Sequence, residues 1–249
     1  MLPLTGQLCS ICGERLASPL ISPSMISSGV ASRGLALVDE DAPLCGLCRR
    51  ATPPYAKASA YGSYEGGLRE LIHLMKYERV HPAARVLGRM LAEAIADLES
   101  FFKDDKVLMV PVPLHKRKQR QRGYNQSELI ARAALKNVPA PARFELDTRL
   151  LERRRETQSQ IGLSSHQRRE NMRGAFAVPV AAKVAGREIL LVDDVFTTGT
   201  TVAECARVLR RAGASRVYVA TVARTLKFET RQVELKPAAE AAFTMAAAG

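Results

Sequence analysis

Residues 189–201 read ILLVDDVFTTGTT, and this stretch decides the fold. Ile189 to Val192 are aliphatic, with β-branching at Ile189 and Val192, as expected of a short strand buried in a parallel sheet. Two adjacent carboxylates, Asp193 and Asp194, close the run. A hydrophobic pair, Val195 and Phe196, leads into a turn rich in Thr and Gly. Val202, Cys205, Ala206 and Leu209 then recur at i, i+3, i+4 and i+7, which predicts a helix ending before Gly213. A second aliphatic run, Val217 to Val222, predicts the next strand. The loop of this strand-loop-helix-strand unit lies at a strand's carboxyl end, where open α/β sheets bind ligands.

The loop chemistry suits a phosphorylated sugar. Thr197, Thr198, Gly199, Thr200 and Thr201 can turn backbone N–H groups and hydroxyls inward, Gly199 permits close approach, and the helix N-terminus adds a positive dipole. Asp193 and Asp194 would repel a phosphate. They can instead accept hydrogen bonds from vicinal hydroxyls, or help hold a Mg²⁺ that meets them. The bland alternative is two acids ending a strand beside threonines that cap a helix. Neither G-x-x-x-x-G-K-[ST] nor G-x-G-x-x-G occurs in the chain.

With its acid pair and Thr/Gly loop, this run resembles the phosphoribosyl pyrophosphate (PRPP) motif of type I phosphoribosyltransferases. The resemblance implies that Asp193 and Asp194 contact the ribose hydroxyls and that residues 197–201 bind the 5-phosphate.

The chain has 249 residues, a formal charge of +12, a sequence pI near 9.8 and 47% hydrophobic residues. That is enough for a normal core, and the charge points to anionic partners without choosing among nucleotides, pyrophosphate and nucleic acid. No apolar stretch is long enough to span a membrane and no signal-peptide core opens the chain, so the expected location is cytoplasmic. Of the five cysteines, four form two pairs, Cys9-x-x-Cys12 and Cys45-x-x-Cys48, with the spacing of zinc knuckles. Gly13 and Gly46 would ease the two turns. A structural Zn²⁺ held by four thiolates is expected, with disulfides the weaker alternative. Cys205 falls on an apolar helix face and is read as core.

The expected division is a zinc module over 1–52, an α/β phosphoribosyltransferase-like domain over 53–236, and an Ala-rich tail over 237–249. The knuckles are separated by a long stretch rich in Ser, Ala, Pro and Gly. Residues 59–64 and 107–112 read as strands. Helices are expected from Leu68 to about Tyr77, from Pro82 to Leu98 and over Ser127 to Ala134.

Two basic segments flank this core. From Lys106 to Ser127 there is no Asp or Glu, and VPVPLHKRKQRQRGYNQ follows directly from a strand. It is read as a loop in which Lys116, Arg120 and Arg122 neutralise pyrophosphate, with Gly123 turning the chain beside Tyr124 and Asn125. Lys76 could reach the same anion. The alternative is a solvated basic loop that touches nucleic acid nonspecifically. The second segment, RRRETQSQIGLSSHQRRENMRGAF, is too polar to show a core face. Its position is comparable to that of the mobile flap that closes over PRPP in type I phosphoribosyltransferases, a resemblance that would place Thr157, Gln158 and Gln160 facing the ligand; the alternative is an ordinary basic surface loop. His73, His81, His115 and His166 are weak candidates individually.

The two CxxC pairs, LIHLMKY, VPVPL…RGYNQ, the arginine-rich block and ILLVDDVFTTGTT together resemble the ComF family of bacterial competence-associated proteins. That resemblance implies a zinc finger joined to a phosphoribosyltransferase-like domain acting in natural transformation, where single-stranded DNA is handled with a helicase partner. The long stretch between the knuckles departs from the pattern. The alternatives are a zinc-containing DNA-binding adaptor with a vestigial or regulatory PRPP pocket, and a nucleobase phosphoribosyltransferase of salvage. Few aromatics and no Trp weaken a case for base stacking. An amidophosphoribosyltransferase needs a glutaminase half that this chain is too short to hold.

Overall fold

A computed structural model describes residues 6–16, 42–157 and 164–226. Gln158, Gln160, most of the stretch between the knuckles and the Ala-rich tail lie outside the described residues. In chain order the elements are α1 (Gly46–Arg50), β1 (Lys57–Ser63), α2 (Gly66–Tyr77), α3 (Ala83–Ala96), β2 (Val107–Pro111), α4 (Lys116–Arg122), α5 (Gln126–Ala134) and β3 (Phe144–Leu146). They continue with β4 (Glu152–Arg153), α6 (Ser165–Met172), β5 (Phe176–Ala177), β6 (Glu188–Phe196), α7 (Thr200–Arg211) and β7 (Arg216–Arg224).

Five strands form one parallel sheet in the order β1-β7-β6-β2-β3. Alternate side chains of β6 enter opposite faces: Ile189 and Leu191 join one core, Leu190 and Val192 the other. That is why its sequence is continuously apolar. Helices α2, α3 and α5 cover the second face, and Gly88 lets α3 press onto α5, since a Cβ there would stand 2.4 Å from Ala133 Cβ. The first face is covered by α7 and, beside it, by the cysteine knuckles, whose four cysteines belong to the same core as Val217 and Val219.

The chain leaves β2 for β3 on one side and returns to β6 on the other. The crevice outside the carboxyl ends of β2 and β6 is therefore a topological switch point. Two expectations are corrected. The strand carrying the acids does not end at Val192 but runs through Phe196, because an equally long β7 pairs with it at Asp193↔Thr221, Val195↔Ala223 and Phe196↔Arg224. The basic segment after Val112 is no loop. Residues 116–122 are Lys, Arg and Gln, all good helix formers; His115 Nδ1 accepts from Arg117 N and Gly123 closes the helix at φ 88°.

Candidate functional site

The acid pair sits at the switch point and is held from the α2/α5 face. Ser127, buried in the first turn of α5, donates its hydroxyl to Asp193 Oδ1 at 2.9 Å. From the last turn of α2, Lys76 Nζ reaches Asp194 Oδ2 at 2.7 Å. Asp193 is only partly buried and Asp194 is buried. Burial, and then the charge of Asp194, push the Asp193 carboxyl up to about 7, against the pull of Ser127 and Lys76. For Lys76, burial favours the neutral amine, but the paired carboxylates outweigh it and its pKa rises.

Tyr124 and Asn125 hold the backbone that aims Ser127. The Tyr124 hydroxyl donates to Met75 O, and its ring lies 4.5 Å from that of His81. Asn125 Nδ2 donates to Val112 O at 3.0 Å while its Oδ1 caps α5 by accepting from Ser127 N. The connection from β2 to α5 is thereby tied to both β2 and α2.

A cluster of cations borders the acids. Burial lowers the pKa of Lys118, and the neighbouring charges of Arg153, Arg122 and Lys76 lower it further. Arg153, on β4, is also depressed by burial; it donates to Thr157 and stacks 5.4 Å from the Phe176 ring centroid. Cations that crowd one another in this way gain from an anion placed among them. Lys116, Lys118 and Arg120 are all exposed on α4, and Arg122 donates to Gln126. Thr157 is buried under Arg153. Among the histidines, His115 caps α4, His73 packs on Tyr77, and His81 and His166 are exposed.

The phosphate-loop candidates follow β6 directly. Gly199, at φ 74°, is the N-cap of α7 and offers no capping side chain, so the helix's positive end faces the loop. Thr198 and Thr200 share a hydrogen bond of 2.9 Å; Thr197 is exposed and Thr201 half-buried. Opposite, β4 and β5 pair antiparallel and form a stem for the arginine-rich segment. Its α6 begins at a capping box formed by Ser164 and Gln167 and buries Met172. Glu204 of α7 accepts from Gly174 N at 2.8 Å and from Arg207, which anchors the stem's return.

The four knuckle cysteines are buried free thiols whose sulfurs all lie within 4.8 Å of one another, with Cys12 and Cys45 at 3.6 Å. Thiolates on one tetrahedral Zn²⁺, each about 2.3 Å from it, stand about 3.8 Å apart, so this set can hold such an ion. Gly13 makes the first turn at φ 69°, whereas Gly46 is simply the first residue of α1.

Residues 141–240 match the phosphoribosyl transferase domain. The DNA utilization protein YhgH of Escherichia coli (strain K12) is 34% identical over 185 residues, covering 73% of this chain and 78% of that protein. Competence protein F of Haemophilus influenzae is 32% identical over 182 residues, 72% of this chain and 78% of that one. The chain belongs to the ComF family. Among solved structures, the allosteric regulatory enzyme of purine biosynthesis is 26% identical over 57% of this ComF chain and 26% of its own, at a TM-score of 0.33. This chain thus spans about a quarter of that enzyme.

Several residues at and around the candidate site carry no local sequence signal. Ser127 looks like an ordinary first-turn serine until α5 is docked on β6. Arg153 is one of three consecutive arginines, and only the pairing of β4 with β5 turns it inward. Arg224 ends an apolar strand yet is buried, donating to Cys12 O and to Glu14 Oε2 at 2.7 Å. Among the described residues no helix is long and apolar enough to cross a membrane.

Proposed function

We propose that this ComF-family chain binds PRPP at the crevice outside β2 and β6. The observation that carries the reading is the acid pair at the switch point, flanked on one side by the uncapped N-terminus of α7 and on the other by crowded cations. The 5-phosphate would sit on Thr197 to Thr201, and the ribose hydroxyls would donate to Asp193. Asp194, held by Lys76, shapes the strand end and fixes that lysine. Pyrophosphate would lie among Lys118, Arg122 and Arg153, with Lys116 and Arg120 adding field from the exposed side of α4. Mg²⁺ carried in with the pyrophosphate would supply charge neutralisation, and Asp193 is the carboxylate open to its water shell.

As a transferase, the chain would break the ribose C1–O bond to pyrophosphate and pass the ribosyl group to an acceptor. Its own contribution would be to neutralise the leaving group and to exclude water beneath the β4–β5 flap. The cysteine set would hold a structural Zn²⁺, closed to substrate by its four thiolates. The relatives named for DNA utilization and competence support a role in handling DNA; single-stranded DNA and a helicase partner are what the family resemblance adds to that reading. The exposed cations of α4 favour the second reading, a DNA-binding adaptor whose PRPP pocket is regulatory.

Thermal melts with and without Mg-PRPP test the assignment. A rise in Tm that disappears in Asp193→Ala/Asp194→Ala is expected, and a shift that persists in the double variant rejects the site. If the chain acts chiefly as an adaptor, Arg117→Ala, at an exposed cation of α4 with no place around the pyrophosphate, weakens single-strand binding while the PRPP response persists.

A further inference from the structure

We propose that Arg224 is a positioning residue that transmits the state of the four-thiolate module to the phosphate loop. The loop's task of holding a phosphate rests on the reading above; the mechanical link does not. Arg224 is the last residue of β7 and only 3% exposed. Its guanidinium presents five donors and no acceptor, so its burial calls for acceptors around it. The knuckle supplies three, to the two terminal nitrogens: Cys12 O, Cys12 Sγ at 3.8 Å and Glu14 Oε2 at 2.7 Å, while the buried Nε meets no acceptor among the described residues.

The opposite contact is the loop. The guanidinium carbon stands 4.5 Å from the Phe196 ring centroid, a cation–π contact made without competing water. Tyr55 meets the same ring edge-on at 6.3 Å, and Thr225 N donates to Phe196 O at 2.9 Å. The far edge of that ring lies against Gly199. A Cβ on Gly199 would fall 2.5 Å from Phe196 Cζ and 2.9 Å from Cε1, so the ring sets how far the αL turn can move. One continuous series of contacts therefore runs from Cys12 through Arg224 and Phe196 to the N-cap of α7.

Electrostatics give the series a direction. Four thiolates around one divalent cation leave a net charge of about −2, which the buried guanidinium offsets from one side. When the metal leaves, nothing holds the four sulfurs at one point, and the turn that offers Cys12 O and Cys12 Sγ to the guanidinium can shift. The guanidinium then has less reason to hold its place over Phe196. Loss of metal should thus loosen residues 197–203 without any direct contact between metal and loop.

Hydrogen exchange on the zinc-loaded full chain tests this, with zinc content measured on the same samples. In Arg224→Lys, which keeps the charge but loses the fork, amides of residues 197–203 should exchange at least about 5-fold faster. The zinc stoichiometry and the protection of β2 should stay at wild-type values. Phe196→Leu, which removes the ring and leaves the knuckle untouched, should give the same local loosening. A guanidinium that merely stabilises the knuckle would release zinc or raise exchange throughout, and that result overturns the proposal. So does unchanged protection of residues 197–203 in either folded variant. Mg-PRPP titration of wild type is the separate arm: failure to bind there removes the ligand assignment and leaves the exchange result to judge Arg224.

Discussion

Lys76 Nζ lies 2.7 Å from Asp194 Oδ2, joining the end of α2 to the strand that bears the acid pair. The side chains are 18% and 7% exposed, so the pair is largely shielded and its members depend on each other. Read from sequence, Lys76 is an anion contact; in the fold its first partner is a carboxylate.

Lys76→Met should therefore lower stability by up to about 3 kcal/mol, because it leaves a carboxylate buried without its cation. Adding Asp194→Asn should recover part of that loss. Urea unfolding of the wild type, both single variants and the double variant closes the cycle. Strict additivity would mean that the two side chains do not support each other.

Gly199 and Gly186 share nearly the same backbone, at φ 74° and 73°, but only Gly199 has Phe196 against it. Gly186→Ala should cost only the left-handed strain, about 1 kcal/mol, while Gly199→Ala adds overpacking of about 1–3 kcal/mol. Thermal melts should show the larger loss at Gly199, and a Phe196→Leu background should narrow the gap. Equal losses at both glycines would show that the ring gives way freely.

Glu204 provides a pH signature. Burial alone would raise its pKa, but the hydrogen bonds from Arg207 and Gly174 N prevail and hold it below the ordinary glutamate value. A depressed folded-state pKa contributes stability that is complete above the unfolded value, about 4.3, and is lost as pH falls through the folded value. Glu204→Gln should cost about 1–3 kcal/mol at pH 7 and progressively less below pH 4. A difference that stays constant between pH 7 and pH 3, followed by urea midpoints, would contradict a charged anchor.

Much of this architecture is legible from local pattern. Ile189 to Leu209 passes from strand to turn to helix, with Val202, Cys205, Ala206 and Leu209 in phase on the buried helix face, and the two CxxC turns announce a four-sulfur site. What stays hidden is hidden for physical reasons. Helix α4 has no apolar face, so no period betrays it; only its His115 and Gly123 boundaries do. Ser127, Arg153 and Arg224 act through partners 66, 4 and 212 residues away, and two of these pairings exist only once the sheet has closed. Arg224 in particular lies just past the aliphatic run Val217 to Val222, and nothing in that run marks it for burial.

The sheet order has a consequence for how the chain is made. Among the described residues β1 is the first strand to leave the ribosome, and its one neighbour in the sheet is β7, the last. Between them come all the other strands, so β1 must remain open-edged through most of synthesis. The knuckle shares that wait, since Ile11 O binds Ala58 N on β1 and Cys12 binds Arg224 at the end of β7. Closure of the sheet and burial of the knuckle against β7 are thus one late event, and a truncation before residue 216 would leave both unfinished.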